Sequence, residues 1–300
     1  MRLITRSDFD GLACASILEA LGIIDEWLFV HPKDIQDGRV KADENDIVAN
    51  VPFIEGCGLW FDHHSSEEER LGKDFKFNGV SRPAASCARI VYEYYDGVEK
   101  LPHMAEMVDY VDRVDSADLS RDEIMKPSGW VLLGFLVDPR TGLGRIHSFT
   151  KSNMDLMVEL SKAVPAMPID EILEMEDVRE RIDVYFEQQQ YFIEMIEKHS
   201  WVEGNAVYVD LREMETIFVG NRFILYTLFP DRNISVWVVS GKNGNTAITV
   251  GHSVVDRTSS VDVGSLMLKY GGGGHRSVGT CQVDNEDGER VIREIIDAVK

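Results

Sequence analysis

Cysteine is scarce in this chain: Cys14, Cys57, Cys87 and Cys281 are spread over 300 residues, with no Cys-x-x-Cys pair. Few and distant thiols exclude a disulfide-stapled secreted scaffold and point to a reduced, cytoplasmic protein. Long apolar runs are also missing, and none approaches the roughly 18 residues of a membrane span. The start, MRLITRSDFDGLACA, has no basic region, apolar core or small-residue cleavage site of a signal peptide. A soluble chain without a membrane partner is expected. Positive charge is in short supply, with 31 Lys and Arg against 52 Asp and Glu and a net charge of −21. Such a surface repels a polymer of phosphates, which disfavours a long nucleic-acid track but leaves room for a local anion site. There is no internal repeat and no low-complexity tract.

What is present is an ordinary globular balance, 44% hydrophobic and 28% charged. The length suits two domains better than one. The acid is uneven: residues 201–300 hold 13 acidic and 10 basic residues, whereas 151–200 hold 12 and 5. From Pro168 onward Ile172, Met175, Val178, Ile182, Tyr185, Phe192 and Ile196 recur near a 3.6-residue period. This predicts one helix to His199, about 45 Å long, either a surface helix or a domain connector. Before it, β-branched runs at Leu3–Thr5, Asp46–Val51 and Gly58–Phe61 alternate with helical stretches at Leu12–Leu21 and Ala84–Tyr95. That alternation predicts an α/β domain with a largely parallel sheet. After Trp201 come closely spaced runs at Ala206–Val209, Phe223–Leu228, Ile234–Val239 and Thr246–Val250, with a turn at Lys242, Asn243 and Gly244. They predict a smaller, strand-rich α+β domain with a mixed sheet. The expected boundaries are 1–199, including the connecting helix, and 200–300.

Three motifs sit at strand ends. Arg6-Ser7-Asp8-Phe9-Asp10-Gly11 follows the first strand and opens a helix. Ligands of α/β sheets bind at the carboxyl ends of strands, and two carboxylates two residues apart suit a hard divalent cation. An Asp in this place also suits helix capping. Asp62-His63-His64 ends another strand, bringing a carboxylate and two imidazoles together, a set that favours Mn, Fe or Zn over Ca. Gly271-Gly272-Gly273-Gly274-His275-Arg276 offers unobstructed backbone N–H groups for an anion, followed by a His and an Arg.

Together these motifs resemble the DHH phosphoesterase superfamily, in the branch carrying the DHH-associated C-terminal domain, and most of all its bacterial exopolyphosphatase-related members. The resemblance covers nearly the whole chain. It implies a hydrolase that cleaves a phosphoester or phosphoanhydride of a small substrate with a metal-activated water, commonly with two manganese ions. Relatives act on polyphosphate, pyrophosphate, short oligonucleotides, cyclic dinucleotides or phosphoadenosine phosphate. Carried over, Asp8 and Asp10 are metal ligands, His63 is a ligand, His64 stands either beside the substrate or behind the ligands, and Asp62 orients the imidazoles. A further carboxylate comes from Asp115 or Asp112. The C-terminal domain grips a distal phosphate through Gly272, Gly273, Gly274, His275 and Arg276, with Arg257 and His252 nearby, so that cleavage falls between the domains. Relatives often form homodimers.

Two positions depart from the family pattern. Arg6 stands where the first motif has a His, and Asn50 stands where a carboxylate is expected at the end of the preceding strand. Arg offers no lone pair to a metal, and an amide is a poor bridge between cations. The expectation is one weakened metal site, with the Arg6 guanidinium supplying part of the missing charge and holding a phosphoryl oxygen. A binder of a phosphate ligand without turnover is the alternative. Arg82, just before a helix, reads either as an anion contact or as a surface residue.

Overall fold

The computed structural model describes residues 1–64, 67, 70–72, 74–241 and 244–300. The chain separates into two units, Met1–Leu119 with Lys126–Tyr185, and Ser120–Met125 with Phe186–Lys300.

In the first unit, β1 (Arg2–Arg6), β2 (Glu26–Val30), β3 (Asp46–Ala49), β4 (Leu59–Asp62) and β5 (Gly79–Ser81) form an all-parallel sheet in the order β2-β1-β3-β4-β5. Leu3, Ile4, Ile47, Val48, Ala49, Trp60 and Phe61 are all at most 1% exposed. A parallel sheet covered on both faces explains why these strands read as continuous apolar runs rather than as alternating ones. The Phe9–Ala20 helix is buried at every position from Phe9 to Leu18, which makes it a core helix rather than an amphipathic surface helix. Strand register brings the functional positions level with one another. Thr5 pairs with Ala49, Ala49 with Phe61 and Phe61 with Val80. Arg6, Asn50, Asp62 and Ser81 therefore stand in a row, one residue further on, along the carboxyl edge of the sheet.

The second unit holds β6 (Ser200–Glu203), β7 (Ala206–Asp210), β8 (Ile234–Ser240), β9 (Thr246–His252), β10 (Gly273–His275) and β11 (Val278–Val283) in the order β10-β11-β9-β8-β7-β6. Among these strands only β7 and β8 run parallel. Alternating residues Val236, Val238, Ile248, Val250 and Cys281 turn inward onto the Val263–Leu268 and Asn285–Val299 helices, where Met267, Val291, Ile292 and Ile295 complete the core.

Two expectations fail locally. The apolar run 223–228 is a helix, Ile224–Leu228, with Ile224, Leu225 and Tyr226 buried. A short apolar run has no period that separates strand from helix, and Asn221 settles the outcome by accepting the Phe223 N–H through its side chain at 2.9 Å. The acidic stretch from Pro168 is two helices, Ile169–Leu173 and Glu176–Lys198. Backbone bonds from Glu174 to Glu171 and from Met175 to Ile172 close the first, and Glu176 and Asp177 open the second, where negative charge favours a helix start. At 23 residues the longer helix measures about 35 Å. Of the turn expected at 242–244, Lys242 and Asn243 lie outside the described residues.

Candidate metal centre and its surroundings

The first motif divides its two carboxylates between two jobs. Asp8 is the N-cap of the Phe9–Ala20 helix, its Oδ1 accepting the Gly11 N–H at 3.0 Å. The turn needs glycine at 11, because a Cβ there would collide with the carbonyl oxygen of Arg6. Asp10, in the first helical turn, points away to a second helix start. Its carboxylate accepts the Cys87 N–H at 2.9 Å and the Ala88 N–H at 2.7 Å. These are orphan donors at the N-terminus of the Cys87–Tyr94 helix.

His63 leaves the end of β4 with Nδ1 at 3.2 Å from the Ala84 carbonyl oxygen. A proton on Nδ1 donated to that carbonyl leaves Nε2 as a lone pair, the form that ligates metals. Nε2 is buried, has no hydrogen-bond partner among the described residues, and lies 3.6 Å from Asp10 Oδ2 and 3.5 Å from Asp115 Oδ2. Asp115 ends the Ala105–Asp115 helix. One ligand atom from each of Asp10, His63 and Asp115 lies within 4.8 Å of the others.

Electrostatics agree with this geometry. Burial pushes the Asp10 carboxyl well above its usual range, Asp115 and Asp8 add to the rise, and the two backbone bonds oppose it. Desolvation also raises Asp115, partly offset by His63. A buried Asp10 carboxyl and a solvent-exposed Asp115 carboxyl facing each other around an orphaned imidazole nitrogen fit a divalent cation, which would relieve their repulsion. One imidazole and two carboxylates suit Mn, Fe or Zn.

A second cation does not fit beside Asp8. Its Oδ2 is 3.0 Å from Arg6 Nε, and its Oδ1 accepts from Asn50 Nδ2 at 3.0 Å in addition to Gly11. Asn50 adopts a left-handed backbone at φ 58°, a conformation Asn tolerates. Guanidinium and amide thus occupy both oxygens of the carboxylate.

His64 is held by Asp62. Its Nδ1 is 2.8 Å from the fully buried Asp62 Oδ1, and its N–H reaches Asp62 Oδ2 at 3.3 Å. Burial works against the charged ring, but the Asp62 bond and the nearby charges of Asp62, Asp115 and Asp10 together outweigh it, and the imidazole is more basic than usual. Asp112 takes another place, accepting from Ser86 Oγ at 2.6 Å and from Arg89 Nε at 2.8 Å; of the two alternatives, Asp115 joins the cluster. Sequence reasoning missed Arg140. Tied through Nε to both oxygens of Asp138 at 2.8 and 3.0 Å, it stands in the field of Asp8 and Asp115. The turn Asp138-Pro139-Arg140-Thr141-Gly142 after an apolar helix was its only signal.

In the second unit, the glycine segment is partly strand. Gly273, Gly274 and His275 pair with Thr280, Gly279 and Val278. Side chains at Gly272 or Gly274 would strike the Thr280 or Val278 backbone, so close strand packing requires these glycines. His252 Nε2 lies 2.8 Å from the Val261 carbonyl oxygen, an acceptor, so the ring nitrogen donates. The His252 backbone N–H meets Ser277 O at 2.8 Å, so His252 and the segment after His275 share one end of the sheet. Arg276 and Arg257 are exposed there.

No protein-family model and no curated protein matches the chain. Among solved structures, it is similar to a pGpG-specific phosphodiesterase, PggH of Vibrio cholerae, at 44% identity over 99% of this chain and 98% of that one, with a TM-score of 0.83. An exopolyphosphatase-related protein of Bacteroides fragilis (12% identity, 99% and 91% covered, TM-score 0.53) and Thermus thermophilus RecJ in complex with Mn2+ (13%, 98% and 51%, 0.56) share the fold. Motifs, site and the full-length relative agree: the chain belongs to the DHH phosphoesterase superfamily.

Proposed function

We propose that this protein is a phosphodiesterase that hydrolyses a short linear 5′-phosphorylated dinucleotide of the pGpG kind into two nucleoside monophosphates. The observation that carries the reading is the Asp10, His63 and Asp115 cluster with its orphaned imidazole nitrogen, in a chain 44% identical throughout to a pGpG-specific enzyme. A manganese ion held by these three side chains would supply Lewis-acid charge at the phosphoryl group and lower the pKa of a water. Water oxygen bonds to phosphorus, the bond from phosphorus to the 3′ oxygen breaks, and that oxygen takes a proton. His64, anchored by Asp62 and more basic than an ordinary imidazole, is the group we assign to deliver it. Arg6, whose Nε is tied to Asp8, supplies fixed positive charge where a second cation would otherwise stand, and Arg140 adds to it. The segment Gly272–Arg276, with His252 and Arg257 at the same sheet end, is assigned to the outer phosphate. The small substrate agrees with the chain's acidity.

The test is product analysis with Mn2+ against pGpG, polyphosphate, pyrophosphate, cyclic dinucleotides and phosphoadenosine phosphate. GMP release from pGpG, lost in Asp10→Ala, is the expected result. The blocked Asp8 favours one other reading, ligand binding without turnover. Thermal stabilisation by pGpG with no GMP formed over hours would replace the first reading with the second.

A further inference from the structure

A small cavity of about 130 Å³ opens in the first unit beside the Asp62-His63-His64 segment. His64, Ser81 and Arg82 line one part of it, and Trp60, Phe75 and Phe77 another. Nothing in the chemistry assigned to the metal centre uses these aromatic residues. The alternation of β4 explains the arrangement: Trp60 and Asp62 share one face of the sheet, while Phe61 turns to the opposite face against Tyr94.

The aromatic wall is built rather than incidental. Trp60 is 1% exposed, its indole N–H is bound to the Val51 carbonyl at 3.0 Å, and its ring is held edge-on by Phe77 at 4.8 Å and Phe53 at 5.5 Å. Phe75 lies nearly parallel to Phe77, with 6.3 Å between centroids and 23° between planes, yet is itself 36% exposed. An exposed phenyl braced by partly buried aromatic rings presents a flat surface to a flat partner. The polar side offers donors: the Ser81 hydroxyl makes no hydrogen bond among the described residues, and the Arg82 guanidinium is positioned by Glu93 and the Pro83 carbonyl. Position supplies the last constraint. The His64 ring on the cavity wall lies 4.3 Å, centroid to centroid, from the His63 ring of the metal cluster. A ligand with a phosphate at the cluster and a planar ring one side chain away is a nucleotide.

We propose that this cavity is a nucleobase subsite: the base of the nucleotide whose phosphate meets the Asp10, His63 and Asp115 cluster stacks on Phe75 and takes hydrogen bonds from Ser81 and Arg82. The assignment rests on the dinucleotide reading and adds to it where one base sits. Stacking of a base on an aromatic side chain is worth about 1–3 kcal/mol, or roughly 5- to 150-fold in affinity.

The test compares binding of GMP and of ribose 5-phosphate, which carries the same phosphate without a base, to the Mn2+-loaded full chain by calorimetry. Wild type should prefer GMP by about tenfold or more. Phe75→Ala should erase most of that preference while ribose 5-phosphate affinity and manganese content stay unchanged, and Phe75→Trp should restore it. An unaltered GMP preference in Phe75→Ala, or equal affinities in wild type, overturns the subsite. Neither measurement needs turnover, so failure to hydrolyse pGpG would fall on the functional reading and a flat GMP comparison on the subsite.

Discussion

Arg6 Nε stands 3.0 Å from one oxygen of Asp8 while Asn50 Nδ2 stands 3.0 Å from the other. A carboxylate two residues from the cluster residue Asp10 is thereby satisfied within the protein, by a permanent cation and a neutral donor, each emerging from the end of a neighbouring strand. The negative charge of the site is concentrated on Asp10 and Asp115.

The purified protein should accordingly bind one manganese ion per chain. The double variant Arg6→His with Asn50→Asp frees the Asp8 oxygens and adds two ligand types, and its content should rise toward two. Metal analysis after dialysis reads both numbers; two tightly held ions on wild type would contradict the arrangement.

Asp10→Asn removes the central ligand and its buried charge. The amide oxygen retains one of the two backbone bonds to Cys87 and Ala88, and repulsion from Asp115 and Asp8 disappears. Loss of the ion's charge stabilisation, about 4 kcal/mol, corresponds to about a thousandfold fall in turnover. In metal-free buffer the melting temperature should hold or rise. A metal-free variant that melts far below wild type would show that the carboxylate is structural.

Alkaline stability is set partly by Cys14. Burial lifts its thiol from about 9 to about 11, with a hydrogen bond to Cys87 opposing and nearby carboxylates adding. Above pH 9 the unfolded chain releases this proton and the folded chain keeps it, so stability falls as pH rises from 9 to 11, by about 1.4 kcal/mol per pH unit for one such group. Urea midpoints at pH 8.5 and 10.5 measure the slope, and Cys14→Ala should reduce it, the other raised thiols, Cys87 and Cys281, supplying what remains.

Gly11→Ala places a methyl group against the Arg6 carbonyl at the start of the Phe9–Ala20 helix. Overpacking against backbone costs about 1–3 kcal/mol. Because the same turn carries Asp8 and Asp10, metal affinity should fall together with the denaturation midpoint. A variant that loses stability but binds manganese as tightly as wild type would separate turn from site.

How far the sequence discloses the site depends on whether the signal is local. Asp10 and His63 are legible because strand ends and turn residues frame them within a few positions. Asp112 and Asp115 cannot be told apart that way: three residues apart, they lie on one helical face, and only the distant Ser86 and Arg89 draw Asp112 aside. Arg140 is silent for the same reason, since its role comes from the field of Asp8 and Asp115 rather than from its own turn. In the fold, β1, β3 and β4 announce themselves by buried β-branched runs, whereas 223–228 is apolar in a way that either backbone state satisfies. The glycines at 272–274 read as freedom; in the structure they are close packing.

The three cluster residues are spread over more than a hundred positions, on one strand-to-helix turn, the end of another strand and a helix end. In the unfolded chain, gathering them would mean closing two long loops for a single ion, an entropic cost that the folded sheet has already met. An ion held there would bind the folded unit alone and act as a non-covalent cross-link, raising the melting temperature with its concentration by mass action. Chelation at constant pH should then lower that temperature, so that the supply of metal would govern how long the folded protein survives.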